Sequence, residues 1–161
     1  MDKKIAIVAN TSWYIYNFRL DLIKFLQNEG FHITIIAPED KFSDYLLKNN
    51  CKFHPINIDS KGINIWNDIN SLLHFYRIYK NIKPDIILQF TIKPNIYGSI
   101  SARFLKIKVI NNIAGLGTLF YKNNMLTKFA IFLYKFSKRK VSYLFFQNKD
   151  DKGLFERYNL L

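Results

Sequence analysis

A single cysteine, Cys51, stands in 161 residues, so no internal disulfide can form and covalent stapling is excluded as a source of stability. Histidine is nearly as scarce. His32, His54 and His74 are the whole supply, no two of them at metal-ligand spacing, and no nucleophile elbow accompanies them. Zinc chemistry and triad hydrolysis therefore lack their parts, and no metal is expected. Glycine occurs six times but never as a dinucleotide fingerprint or a phosphate-binding lysine loop. The first strand-to-helix joint, Asn10-Thr11-Ser12-Trp13, contains none, so it is no glycine-rich pyrophosphate cradle. The first apolar run, Ile5 to Ala9, is too short for a signal-peptide core, and no run reaches the length of a spanning helix. The expected placement is cytoplasmic, or peripheral on the inner face of the cytoplasmic membrane.

Acid is the other scarcity. Asp and Glu number 12 against 24 Lys and Arg, a net charge of +12. The first 60 residues are neutral, with seven of each sign, so the entire surplus lies beyond them. Lysine supplies most of it, and lysine is also the default solvated residue. Compositional drift alone, however, would not deplete acid from the middle third and leave the first third balanced. Anionic partners such as phosphorylated substrates, lipid headgroups or nucleic acid stay open on charge alone. The absence of an RNA-binding aromatic signature, a helix-turn-helix pattern and a zinc finger argues against specific nucleic-acid recognition.

What is present is an alternation of short apolar strands with amphipathic stretches. Strands are expected at 5–9, 31–37, 53–58, 85–90, 108–113 and 143–146. Helices are expected at 13–28, 42–49, 66–82, 96–105, 126–140 and 149–157. Ser12 is the expected cap of the first helix, Gly30 closes it, and Pro94 sits near the start of the fourth. No repeat, low-complexity tract or linker interrupts the series. The pattern predicts an α/β fold: a doubly wound, mostly parallel, six-stranded Rossmann-like sheet with helices on both faces.

Ligands of such sheets sit beyond the carboxyl ends of the strands. The segments there are rich in amides, hydroxyls and glycines. No separated carboxylate pair suited to hydrolysis is visible, since Glu39 and Asp40 are adjacent. On the first helix Ile15, Phe18, Leu22, Phe25 and Leu26 share an expected core face with Arg19. A buried guanidinium must be paired or reach a polar cleft. Trp13 either stacks on a ring or covers the sheet edge. Gly115-Leu116-Gly117 is either a tight turn or a place where backbone approaches a ligand. The stretch 126–140 sets a broad arc of Met125, Leu126, Phe129, Ala130, Phe132, Leu133 and Phe136 against a basic stripe of Lys128, Lys135, Lys138 and Arg139. It suits either sheet packing or an anionic membrane surface.

Four segments, taken in order, carry a family resemblance. They are Asn10 to Arg19, Thr91 to Gly98, Asn111 to Thr118, and Phe146 to Asp151 before Leu154-Phe155. Together they resemble the N-terminal domain of family 4 glycosyltransferases of the GT-B type, retaining enzymes that build bacterial capsule, O-antigen and related glycans. The likeness covers essentially all of residues 1–161, and a C-terminal donor-binding domain of the same architecture is absent from them. It implies acceptor binding by Asn10, Thr11, Trp13, Arg19, Thr91, Lys93 and Asn95. It places Gly115, Leu116, Gly117, Asn148 and Lys149 along the cleft toward the donor. Lys93 would give electrostatic help with phosphate, without a protein nucleophile. The implied partners are a lipid-linked sugar acceptor, a nucleotide-sugar donor of UDP type, and the second domain or a complementary subunit; no cofactor is implied. A non-catalytic membrane-tethering subunit that recruits a donor-binding chain is the alternative.

Overall fold

The computed structural model describes residues 3–58, 65–116, 120, 125–138 and 141–161. Six strands, β1 (Lys4–Val8), β2 (His32–Ala37), β3 (Lys52–Pro55), β4 (Ile86–Phe90), β5 (Lys108–Ile113) and β6 (Val141–Phe146), alternate with helices. The helices are α1 (Ser12–Asn28), α2 (Ser43–Lys48), α3 (Ile65–Ile82), α4 (Ser99–Phe104), α5 (Met125–Ser137) and α6 (Lys149–Arg157). A π-helical turn, Pro94–Gly98, leads into α4 where an ordinary helix start was expected. Every strand pair is parallel, in the order β3-β2-β1-β4-β5-β6. The sheet is thus wholly parallel rather than mostly so, and its order reverses between β1 and β4, the Rossmann-like switch point.

Both faces carry a core. Ala6, Val8, Ile87, Val109 and Ile113 meet Phe75 and Tyr79 of α3, Ile100 of α4, Tyr134 of α5 and Phe155 of α6. On the opposite face Ile5, Ile7, Ile33 and Ile35 meet Ile15 and Ile23 of α1 and Leu46 of α2. The central strands are apolar on both sides because right-handed parallel crossovers lay helices over both faces.

Two local expectations are corrected. Thr11, not Ser12, caps α1: its extended backbone lets Oγ1 accept from the Tyr14 amide at 3.1 Å. Ser12 is already helical and buried, and its hydroxyl donates to Pro38 O at 2.7 Å. The buried face of α1 also turns out narrower than its apolar set. Ile15 and Ile23 are buried, whereas Phe18 and Phe25 are exposed along the β4 side. Among the described residues no helix beyond α1 overlies that side to receive them.

Cys51 is buried, and burial pushes its thiol up to about 11 against an opposing hydrogen bond from Gln27. It should resist iodoacetamide at pH 8 in the folded protein and react at a free thiol's rate in urea. Mass analysis of the alkylated fraction tests this; rapid labelling of the native chain would contradict it.

Candidate functional site

The crevice opens where the carboxyl ends of β1 and β4 diverge. The amide of Asn10 donates to Thr91 Oγ1 at 3.2 Å, so the loops after the two strands are tied across the switch point. Thr91 takes the left-handed region at φ 71°, costly for a β-branched residue, and its carbonyl accepts from the Asn95 amide at 3.1 Å. That backbone reversal turns the chain from β4 straight into the π-helical turn.

On the β1 side, two amides at the N-terminus of α1 are taken by its own neighbours. Thr11 takes the Tyr14 amide, and Asp40 Oδ2 takes the Trp13 amide at 3.0 Å. Asp40 Oδ1 also takes the Phe42 amide at 2.8 Å, which locks the β2–α2 loop against the helix start. The Trp13 indole is left 47% exposed, edge-on to Phe18 with centroids 5.4 Å apart. The Arg19 guanidinium lies 4.5 Å over the Phe90 ring and 5.2 Å over Tyr14, and donates to Tyr14 Oη at 2.6 Å. Among the described residues no carboxylate pairs with it. Arg19 is held by rings and a phenol beside the crevice rather than by a structural salt bridge, and its buried Nε has no partner.

The β4–β5 side differs from expectation. Lys93 is committed to Asp68 of α3 at 2.8 Å, with both side chains largely buried. Its charge is therefore matched by a carboxylate before any phosphate arrives. The phenol of Tyr97 lies beside the pair, raised far above its ordinary range by burial first and by the Asp68 charge second. Asn95 does not face the crevice. It is 1% exposed, its Nδ2 donates to Asn112 O at 3.0 Å, and its carbonyl accepts from Asn111 Nδ2 at 3.2 Å. Asn111 continues to Ser99, Ser99 to Gln89, and Gln89 to the Tyr79 hydroxyl, a chain of buried polar groups under the π-helical turn.

At the β5 and β6 ends, Gly115 is exposed at φ 100°, where a side chain would be strained. The Leu116 amide donates to Asp151 Oδ1 at 3.2 Å, so that backbone group is not free for a ligand. Gly117 lies outside the described residues. Asn148 caps α6, accepting from the Asp151 amide at 2.7 Å and donating to Asp151 Oδ2 at 2.8 Å; Lys149 is exposed. Asp40, Asp68 and Asp151 are positioning groups that sequence reading passed over. Only Asp151, three residues after Asn148, carried a legible capping signal.

The crevice thus joins Asn10, Thr11, Trp13, Arg19 and Thr91, and sets Lys93, Asn95, Leu116 and Asn148 into its scaffold. Among the described residues there is no group of acidic, histidine or cysteine side chains able to hold a metal. A family model described as glycosyl transferase 4-like matches residues 4–148. The chain belongs to that family.

Glycosyl transferase 4-like relatives include a Campylobacter jejuni enzyme, N,N'-diacetylbacillosaminyl-diphospho-undecaprenol alpha-1,3-N-acetylgalactosaminyltransferase. It is 23% identical over 153 residues, which are 92% of this chain and 41% of that enzyme. The chain therefore spans less than half of the curated relative that it matches. Among solved structures, MurG of Acinetobacter baumannii superposes with a TM-score of 0.64 at 18% identity, over 92% of this chain and 42% of that one. The UDP-GlcNAc 2-epimerase of Methanocaldococcus jannaschii, in complex with UDP-GlcNAc and UDP, gives 0.65 at 21%, over 97% and 43%. The structural likenesses establish the fold: this glycosyl transferase 4-like chain is a Rossmann-like domain of the GT-B kind.

Proposed function

We propose that this domain is the acceptor-binding half of a glycosyltransferase that moves a sugar from a nucleotide-sugar to a lipid-linked glycan acceptor. The observation that carries the reading is the occupation of the Trp13 and Tyr14 amides at the N-terminus of α1. A half that holds a donor diphosphate would offer those amides to it. Here Thr11 and Asp40 already occupy them, and the exposed Trp13 and ring-held Arg19 stand at the same mouth. An aromatic platform beside a guanidinium suits a sugar joined to a diphosphate. Asn10 and Thr91 add polar groups beside it. The relative's name, with its diphospho-undecaprenol acceptor, and the UDP-sugar ligand of the epimerase support the two substrate classes.

In this reading the donor diphosphate is held by a second domain or a complementary subunit, and chemistry occurs in the cleft between the halves. Retention of configuration accords with a crevice built from hydrogen-bond donors and rings rather than paired carboxylates. Isothermal titration should show that the chain binds a short-chain polyprenyl-diphosphate sugar and not UDP-GlcNAc. Alanine at Trp13 or Arg19 should weaken acceptor binding about tenfold or more. Robust sugar transfer by the chain alone, or tight UDP-GlcNAc binding, would refute the assignment to the acceptor side.

The same reading gives α5 a membrane role in surface-glycan synthesis. Its inner face, Ala130 and Tyr134, is buried, while Met125, Phe129, Phe132 and Phe136 form an exposed stripe, Phe132 at 63%. Lys128 and Lys135 are exposed on the same helix. Lys138 is not free for lipid, since it donates to Asn159 O at 3.0 Å; the Leu126 side chain and Arg139 lie outside the described residues. No described helix is long and apolar enough to cross a membrane. Apolar residues with a basic border suit a helix lying in an anionic interface. Vesicle co-sedimentation should favour anionic over neutral lipid and fall severalfold on Phe132→Ser or on Lys128→Glu with Lys135→Glu. Binding indifferent to lipid charge would remove this role.

A further inference from the structure

The basic surplus has a place in the fold. In a wholly parallel sheet every strand starts and every helix ends at one edge, and the crevice lies at the other. At the amino edge, segments 3–4, 29–32, 48–52, 77–86, 103–108, 135–138 and 156–161 hold thirteen Lys and Arg against three Asp and Glu. At the carboxyl edge, segments 9–16, 37–44, 55–58, 65–69, 90–97, 113–116, 125–129 and 147–152 hold five against six. Compositional drift would load both edges alike. Among the described residues no Lys or Arg of the amino edge pairs with a carboxylate; the ion pairs are Lys93 with Asp68 and Lys152 with Glu156.

Helix polarity accounts for part of this. A cation in the last turn of a helix meets the negative end of the dipole, which suits Lys48, Lys80, Arg103, Lys135 and Arg157. It does not account for Lys4, Lys52 and Lys108, which open strands, or for Lys83 and Lys106 in the joints between helix and strand. Those two take the left-handed region, at φ 48° and 59°, and both are exposed. The same joints after α1 and α2 hold Gly30 and Asn50, the residue types that take it at least cost. Lysine thus stands at two joints against the preference of the backbone. Two hollows open on this edge. One, of about 360 Å³, is lined by Lys4, His32, Ile33, Thr34, Asn50 and Lys52. The other, of about 500 Å³, is lined by Arg77, Lys80, Asn81 and Lys83. The nearby acid, Asp85, already accepts from the Lys4 amide at 2.8 Å.

Because the charge is local, it selects the occupant. Ten of the thirteen cations are lysines, point charges that attract carboxylates without the bidentate geometry by which arginine grips phosphate. Segments 48–52, 77–86 and 103–108 expose one large apolar side chain, Phe104. The edge therefore has neither a row of rings on which nucleic-acid bases stack nor an apolar stripe that enters a bilayer. We propose that the amino edge of the sheet is a docking surface for an extended acidic segment of a partner polypeptide, its carboxylates lying over the two hollows. The edge spans six strands, about 24 Å, which about eight extended residues cover. It lies at the opposite end of the sheet from the crevice, so its test is separate from that of the acceptor-side assignment.

The test uses the intact chain and a fluorescein-labelled glutamate peptide of about 12 residues, long enough to cross the edge, in about 0.1 M salt. Two triple variants of equal net charge separate place from total charge. Lys52→Glu, Lys83→Glu and Lys106→Glu together, at the amino edge, should weaken binding by about tenfold or more. Lys41→Glu, Lys128→Glu and Lys149→Glu together, at the carboxyl edge, should change it less than about twofold. Lys83→Asn with Lys106→Asn guards against misfolding. Asparagine suits the left-handed joints, so this pair should melt no lower than the parent and still bind the peptide about threefold more weakly. Equal losses from the two triple variants, no binding of the peptide, or equal binding of a glutamine twin would overturn the proposal. Tighter binding of a single-stranded DNA 12-mer, or of anionic vesicles, lost in the amino-edge variant would overturn it too, by assigning the edge to nucleic acid or to membrane.

Discussion

Replacing Lys93 by methionine is expected to destabilise the domain by about 3–5 kcal/mol, the cost of leaving a buried carboxylate without its partner. Asp68 is 5% exposed, and Lys93 Nζ at 2.8 Å is the cation that it faces. Removing the ammonium leaves the Asp68 carboxylate buried beside apolar side chains without its counter-ion. The double variant Lys93→Met with Asp68→Leu should recover most of the loss, because exchanging both ions for apolar side chains removes the desolvation penalty with the attraction. Urea denaturation of the two single variants and the double variant makes a closed cycle. A Lys93→Met midpoint equal to the parent's would mean that the pair contributes nothing and that Lys93 is free for phosphate. The opposite result separates the scaffold role of Lys93 from any electrostatic role in transfer, since acceptor affinity can then be measured on the stable double variant.

A second large effect is expected at Gly98. A methyl group there would sit 2.2 Å from Gln89 Nε2 and 2.8 Å from the Tyr79 hydroxyl. Both belong to the buried chain that runs through Gln89, Ser99 and Asn111 to Asn95. Gly98→Ala therefore cannot be absorbed by a moving surface side chain. Overpacking alone costs about 1–3 kcal/mol, and each buried polar group left unpaired costs about 1–3 kcal/mol more. A loss of roughly 3 kcal/mol would lower the melting temperature by about 6–12 °C in a domain of this size. Calorimetry on Gly98→Ala, with Gly153→Ala in open space as the control, checks it. A Gly98→Ala melting temperature within a degree of the parent's would show that the π-helical turn relaxes freely.

Alternating apolar strands and amphipathic stretches made the Rossmann-like architecture readable, because a parallel sheet needs apolar central strands and one crossover helix per step. The loop positions of Asn10, Thr11, Trp13 and Thr91 followed from the rule that ligands meet such sheets at strand ends. The pairing of those loops did not. Asn10 and Thr91 are 81 residues apart, and nothing local says that one's amide meets the other's hydroxyl. Lys93 and Asn95 looked like ligand-facing groups because they follow a strand end, yet the left-handed backbone at Thr91 turns that segment inward. Phe18 and Phe25 looked like core because periodicity counts apolar residues without knowing how far a neighbouring layer extends.

By itself, then, the sequence determined the order of elements, the parallel character of the sheet and the sign of the chain's charge. These depend on residues within a turn or a strand of each other. Only the tertiary structure decided that Arg19 is held by rings instead of a carboxylate, that Lys93 is matched by Asp68, and that Tyr143 and Phe145 of β6 stand exposed. Each of these depends on groups far apart in sequence, whose distance is fixed by how the layers pack and not by any local preference.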